Sequence, residues 1–159
     1  MISDCDLPGK VASCRWVAVG KPTGGITIGA LVAVNSFGEV YDGAPPDGPV
    51  PMPKLGRVGD LAKDAARSNT CIGVVATDAP LTRAQARRVA MMAHDGLARA
   101  IRPVHTPFDG DTLFVMSTAA EGMTPVDVVT LTRIGTVAAD LVARAVRRGV
   151  DAGMPSGQA

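Results

Sequence analysis

Aromatic side chains are scarce in this 159-residue sequence, which has three Phe, one Tyr and one Trp. Proteins that bind nucleic acid use such rings to stack bases and carry clustered basic residues. Here 16 basic residues face 15 acidic ones, and the basic residues are spread along the chain. Charges also interrupt every apolar run well before the ~20 residues that a membrane span requires. The composition therefore predicts no nucleic-acid partner and no membrane partner.

Cysteine is also scarce, and its spacing gives no sign of a metal site. Cys5, Cys14 and Cys71 are odd in number and lack the spacing of metal ligands. The N-terminal residues show no apolar signal region. The sequence has no glycine-rich phosphate loop and no dinucleotide fingerprint. We therefore expect a cytoplasmic protein with reduced thiols, no metal and no cofactor.

The apolar pattern and the turn signals predict the order β-β-β, linker, β-α-β-α within one domain, residues 1–159. The predicted strands cover residues 11–19, 26–34, 39–41, 71–77 and 112–118. Proline and glycine crowd residues 42–54, which predicts a surface loop, and residues 58–66 favour one or two helical turns. Apolar strands with two amphipathic helices late in the chain favour a layered α/β sandwich, in which sheet packs on sheet and helices cover the outside.

Both helices have start and stop signals. Thr82 and Gln85 form a capping box, and Pro103 is expected to end this first helix. Thr124 is expected to cap the second helix, and Gly149 to end it. The arginines of the first helix are expected to form its solvated face.

Polar residues border three of the apolar strands. Asn35 follows the second strand, Thr70 precedes the fourth, and Asp109 and Asp111 precede the fifth. Carboxylates two residues apart in an extended segment point to the same side, where they could accept hydrogen bonds from a hydroxyl and an ammonium. The Asn35 amide could stabilise an oxyanion. Thr70 could be held as a nucleophile at the edge of a rigid core, after a strained Asn69–Thr70 peptide bond.

The same residues also have purely structural explanations. Asn69–Thr70 is an ordinary loop-to-strand junction, Asn35 is a common residue at the end of a strand, and Asp109 to Asp111 has the composition of a solvated turn.

Two further kinds of side chain could carry chemistry. His94 and His105 lie too far apart in sequence to be argued as a pair, and each is expected to be structural or on the surface. Cys71 could act as a nucleophile in principle, but nothing nearby in sequence would lower its pKa.

Four segments carry a resemblance to a known family. They read GALVAVN at residues 29–35, NTCIGVVATD at 69–78, AHDGLARAIRP at 93–103 and HTPFDGDT at 105–112. In this order they closely resemble the family of L-aminopeptidase/D-esterases, β-peptidyl aminopeptidases and nylon-oligomer hydrolases. The resemblance covers nearly all of this chain and about the C-terminal half of a family member.

The resemblance implies a self-processing hydrolase of the N-terminal-nucleophile type. The Thr70 hydroxyl would attack the carbonyl of Asn69 and divide the protein into residues 1–69 and 70–159. The new α-amino group would then act as a base. By the same resemblance, Asp109 and Asp111 orient this amine and the hydroxyl, and Asn35 assists at the oxyanion.

The resemblance also implies a substrate, an assembly and a fold. The substrate would be a small peptide, amide or ester that acylates Thr70, and the protein would be a homo-oligomer. The fold would be an α-β-β-α sandwich, incomplete because the N-terminal part of the family fold is absent. Two alternatives remain open: an inactive truncated homologue that acts only by association with other chains, and a hydrolase that uses Cys71.

Overall fold

The computed structural model describes residues 15–20, 25–44 and 69–153. Along these residues the elements are β1 (Arg15–Gly20), β2 (Ile28–Ala33), β3 (Glu39–Val40), β4 (Ile72–Thr77), α1 (Arg83–Ala98), β5 (Ile101–Arg102), β6 (Thr112–Ser117) and α2 (Val128–Gly153). The predictions for residues 45–54 of the loop and for the helical turns at 58–66 lie outside the described residues.

Four strands form one sheet in the order β1-β2-β4-β6. Strand β2 is antiparallel to both β1 and β4, whereas β4 and β6 are parallel. A parallel pair needs a crossover connection, and α1 supplies it. Consequently the C-terminal end of β2 and the N-terminal ends of β4 and β6 lie at the same end of the sheet, which we call the site end. Strands β3 and β5 pair separately.

The two helices pack on one face of this sheet. Alternate residues of β2, Ile28, Ala30 and Val32, are at most 2% exposed and belong to one core with apolar residues of both helices. That core includes the fully buried side chains of Val89, Leu97, Ile134 and Val142. We call this the covered face.

The opposite side, which we call the open face, is apolar and exposed. Phe114 is 60% exposed, Ile72 52% and Met116 50%. Thus the described residues form two layers, one of sheet and one of helix.

Close contact between the helices depends on Gly96 of α1. A Cβ atom at this position would lie 2.3 Å from the carbonyl oxygen of Ala139 and 2.8 Å from the Cβ of Val142, both in α2. Side-chain carbon atoms do not approach other heavy atoms so closely. Glycine therefore lets the two helix backbones meet above the sheet.

The predicted start of α1 is confirmed, but its predicted end is wrong. The Thr82 hydroxyl accepts the Gln85 N–H at 3.2 Å, and the Gln85 side chain accepts the Thr82 N–H at 2.9 Å. The helix ends at Ala98, well before Pro103, because Ile101 belongs to β5 and pairs with Val40 of β3. A buried apolar residue at helical spacing fits a short buried strand equally well, so the pattern could not tell the two apart.

Both predicted ends of α2 are also wrong. The carboxylate of Asp127 accepts the N–H groups of Val129 and Thr130 at 2.8 and 2.9 Å, so the cap lies three residues after Thr124. The helix continues past Gly149 to Gly153. Glycine costs only about 1 kcal/mol inside a helix, and Val150 beyond it still packs against the core. Among the described residues, neither helix is long and apolar enough to cross a membrane.

Candidate active site

The site end of the sheet brings together the residues that border its strands. The Thr70 N–H donates to the carbonyl oxygen of Asn35 at 2.7 Å. Asn69 forms a parallel bridge with Asp109, which extends the pairing of β4 and β6 toward the site. Asn35, Thr70, Asp109 and Asp111 are therefore neighbours, as their positions beside the strands suggested. Their chemical roles remain predictions.

The Thr70 hydroxyl lies beside the peptide group that precedes it. The O–H group donates to the carbonyl oxygen of Asn69, with 2.6 Å between the two oxygens, and the Gly110 N–H donates to the same carbonyl oxygen at 2.9 Å. Asn69 is buried, at 8% exposure. A buried carbonyl with a fixed N–H donor is polarised, and negative charge that develops on its oxygen is stabilised by that donor.

The close approach of Gly110 to Thr70 explains why a glycine separates Asp109 and Asp111. A Cβ atom on Gly110 would lie 2.8 Å from the Thr70 hydroxyl oxygen. The absent side chain therefore makes room for the Thr70 hydroxyl next to the Gly110 N–H. Sequence reasoning treated this glycine as a turn residue and missed its contact with Thr70.

The two carboxylates hold different parts of the site. Asp111 has a side chain that is only 3% exposed, and its Oδ1 accepts the N–H of Cys71, the residue after Thr70, at 2.9 Å. Asp109 accepts from the N–H and the hydroxyl of Thr106 at 2.9 and 2.7 Å and from the Phe37 N–H at 3.2 Å. Asp111 thus fixes the strand beside Thr70, and Asp109 fixes the loop before β6 against the loop after β2.

Two aromatic rings reinforce this contact between loops. Phe37 and Phe108 stack with ring centroids 5.4 Å apart and an interplanar angle of 28°. Such pairs contribute about 0.5–1.5 kcal/mol beyond the area they bury. The stack joins the loop that carries Asn35 to the loop that carries Asp109.

The two histidines form a pair, contrary to the expectation from their separation in sequence. His94 Nδ1 lies 3.5 Å from His105 Nε2, and His105 Nδ1 lies 2.8 Å from Asp111 Oδ2. The chain turns back after α1, and this return brings the loop residue His105 against the helix residue His94. Because the contact depends on that turn, neither helical periodicity nor short-range spacing could reveal it.

Cys71 does not have the environment of a nucleophile. The residue is fully buried, and this burial, with the negative charges of Asp111 and Asp109, raises the pKa of its thiol to about 12. The Asn35 N–H opposes this shift only in part. Since the thiolate is the reactive form, this environment disfavours the alternative of a Cys71 hydrolase. In the part of the chain that the structure describes, no group of three or more His, Cys, Asp or Glu residues could hold a metal ion.

Comparison with known proteins supports the resemblance seen in the four sequence segments. The sequence profile of peptidase family S58 matches residues 9–156. The chain belongs to peptidase family S58. This S58 chain is 40% identical over 155 residues to the uncharacterized aminopeptidase Rv1333 of Mycobacterium tuberculosis. The match covers 79% of this chain and 44% of that protein. The chain thus spans less than half the length of this relative.

Solved structures show the fold that this S58 chain shares. The L-aminopeptidase D-Ala-esterase/amidase of Ochrobactrum anthropi, described as a variant of the Ntn-hydrolase fold, matches with a TM-score of 0.57 and 23% identity, over 93% of this chain and 42% of that one. A β-aminopeptidase of Burkholderia sp. matches with a TM-score of 0.53 and 23% identity, over 87% and 40%. These matches confirm the predicted α/β fold class and the partial coverage of the family fold.

Proposed function

We propose that this chain is a self-processing hydrolase in which Thr70 first cleaves the bond before it and then acts as the catalytic nucleophile. The observation that carries the proposal is the position of the Thr70 hydroxyl, 2.6 Å from the carbonyl oxygen of Asn69, an oxygen that also accepts the Gly110 N–H. Cleavage would divide the protein into residues 1–69 and 70–159.

In the first step, Thr70 Oγ1 attacks the carbonyl carbon of Asn69. The new O–C bond forms, the C–N bond breaks, and the hydroxyl proton passes to the departing nitrogen. Water then hydrolyses the ester, which leaves a carboxylate on Asn69 and a free α-amino group on Thr70. The Gly110 N–H stabilises the negative charge on the carbonyl oxygen, and Asn35 supplies a second donor.

In each later turnover, the α-amino group of Thr70 accepts the proton of the Thr70 hydroxyl. The unperturbed pKa of an α-amino group is about 8, so a useful fraction is neutral near pH 7. The hydroxyl attacks the substrate carbonyl to form an acyl-enzyme, the leaving group takes the proton, and water releases the acyl group. Asp109 and Asp111 orient the amine and the hydroxyl in this scheme.

The substrate in this proposal is a small peptide, amide or ester, from which the enzyme releases the N-terminal residue. Membership of a peptidase family and the similarity to proteins named as aminopeptidases support this substrate class. We also propose, from the resemblance and the composition, that the protein is a homo-oligomer of the cytoplasm.

A second candidate is an inactive homologue that acts only by association with other chains. The observation that favours it is the open face of the sheet, where Ile72, Phe114 and Met116 are half exposed or more. Such an apolar surface is typical of an interface.

The mass of the protein in a denaturing solvent separates the two candidates. Fresh or incubated protein should give two species that divide between Asn69 and Thr70. The Thr70→Ala variant should stay intact, and Thr70→Ser should still divide because it keeps a hydroxyl. Thr118→Ala, which removes a hydroxyl at the other end of the sheet, is the matched control and should divide like the wild type.

Two outcomes would contradict the proposal. A wild-type chain that stays single after long incubation would favour the inactive homologue. Cleavage of the Thr70→Ala variant at the same bond would show that Thr70 is not the nucleophile.

A further inference from the structure

The arrangement of His94, His105 and Asp111 links the surface of the molecule to the residue beside Thr70. The Asp111 carboxylate divides its two oxygens: Oδ1 accepts the Cys71 N–H at 2.9 Å, and Oδ2 lies 2.8 Å from His105 Nδ1. His105 in turn faces His94, with ring centroids 5.0 Å apart. Asp111 is almost fully buried, whereas His105 is 38% exposed.

The backbone of His105 indicates that this contact is held in place. His105 has φ +54°, the left-handed region that few residues other than glycine adopt. Residues held in this region persist where the surrounding structure fixes them, and they cluster at functional sites. Here the contacts with Asp111 and with the tilted ring of His94 fix the ring of His105.

The protons of this group can be counted from the contacts. A carboxylate only accepts, so His105 Nδ1 must carry a proton, and His105 Nε2 is the nitrogen left to face His94 Nδ1. A single proton fits between these two nitrogens. If both rings were charged, two N–H groups would point at each other across 3.5 Å. A positive charge on one ring therefore opposes a positive charge on the other.

The surroundings of His94 oppose a positive charge on that ring. Burial lowers the pKa of His94, and a charge on His105 lowers it further, although Asp111 and Asp95 act in the opposite direction. His105 is the ring in direct contact with the buried carboxylate. Asp109 adds a second negative charge to this part of the site.

We propose that His94 and His105 are positioning residues that share one proton and hold the Asp111 carboxylate on the Cys71 N–H, and so keep Thr70 in place for its reaction. This inference rests on the proposed function of Thr70. Uptake or loss of the shared proton changes the charge beside Asp111 by one unit. The rate of the Thr70 reaction therefore changes over the same pH range as the protonation of the histidine pair.

Ring NMR of the two histidines tests the shared proton without any catalysis. The spectra are recorded on the Thr70→Ala variant, which cannot cleave itself. The ring signals of both histidines should shift over the same pH range when the first proton is taken up, and His105 Nδ1 should stay protonated throughout. The Asp111→Asn substitution should move this first protonation to lower pH, because it removes the charge that favours the imidazolium.

The rate of self-cleavage at different pH values tests the positioning role. His105→Ala should slow the cleavage about tenfold at the pH where the wild type is fastest, because the Asp111 carboxylate loses its support, and it should remove the step in the pH profile. His105→Asn keeps an N–H donor near the position of Nδ1 but cannot take up a proton. It should restore the rate to within about threefold of the wild type and abolish the step in the pH profile at the histidine titration.

Two results would overturn the inference. The first is that the histidines titrate independently and do not respond to Asp111→Asn. The second is that His105→Asn keeps the step of the wild-type pH profile. If the NMR result is as expected but the wild-type chain never cleaves, the proposed function fails while the shared proton stands.

Discussion

The covered face of the sheet and its site end are built from the same strands, β2, β4 and β6, but they depend on different interactions. The covered face buries alternate apolar residues against two helices, and many residue combinations of similar volume could do this. The site end depends on hydrogen bonds between loops that are distant in sequence, such as Asp111 to the Cys71 N–H. Changes at the covered face should therefore alter stability, and changes at the site end should alter the rate of cleavage.

The largest effect is expected where the covered face has no room. Gly96→Ala would press a Cβ atom against the Ala139 carbonyl and should lower the free energy of unfolding by about 3 kcal/mol. Gly135→Ala is the matched control in α2, because its new Cβ atom would meet the Met92 side chain, which can turn away. Urea unfolding followed by circular dichroism measures both changes. An equal decrease in the free energy of unfolding of the two variants would contradict the close contact between the helices at Gly96.

The next effect concerns the site end. Gly110→Ala would displace the Thr70 hydroxyl and should slow self-cleavage about 100-fold, since a misplacement of ~1 Å can cost that much. Its stability should stay close to that of the wild type. Gel densitometry of the two products over time gives the rate. If Gly110→Ala instead lowers the stability of the protein and leaves the rate of cleavage unchanged, the site end does not differ from the covered face in the way we expect.

The smallest effect is expected at the start of α1. Thr82→Ala removes half of the capping box and should cost about 1 kcal/mol of stability, with no change in the rate of cleavage. Thr124→Ala, the matched control at the wrongly predicted cap of α2, should stay within about 0.5 kcal/mol. Thermal unfolding of both variants decides the point. A larger loss for Thr124→Ala would contradict the cap at Asp127.

Much of the covered face could be predicted because its signals are local. The capping box of Thr82 and Gln85 and the apolar strand at residues 26–34 each depend on residues a few positions apart, and the structure confirms both. The errors arise where tertiary contacts compete with a local pattern. Ile101 joins β3 in place of extending α1, and α2 runs through Gly149 because residues beyond it still reach the core.

The site end could be predicted only in part. Asn35, Thr70 and the acidic pair stood out because each borders an apolar strand, and the mixed topology then places those borders together. The pairing of His94 with His105 needed the turn after α1, and the role of Gly110 needed the distance between β4 and β6. Neither the pairing of the histidines nor the contact of Gly110 with Thr70 can be predicted from the spacing of residues along the chain.

The position of β2 has a consequence for the products of self-cleavage. Strand β2 precedes the proposed cut, yet it lies between β1 and β4 and forms six register pairs with β4, which follows the cut. Helix α2, also after the cut, packs on β1 and β2. The two polypeptides would thus remain one particle, and dilution alone should not separate them until the sheet itself melts.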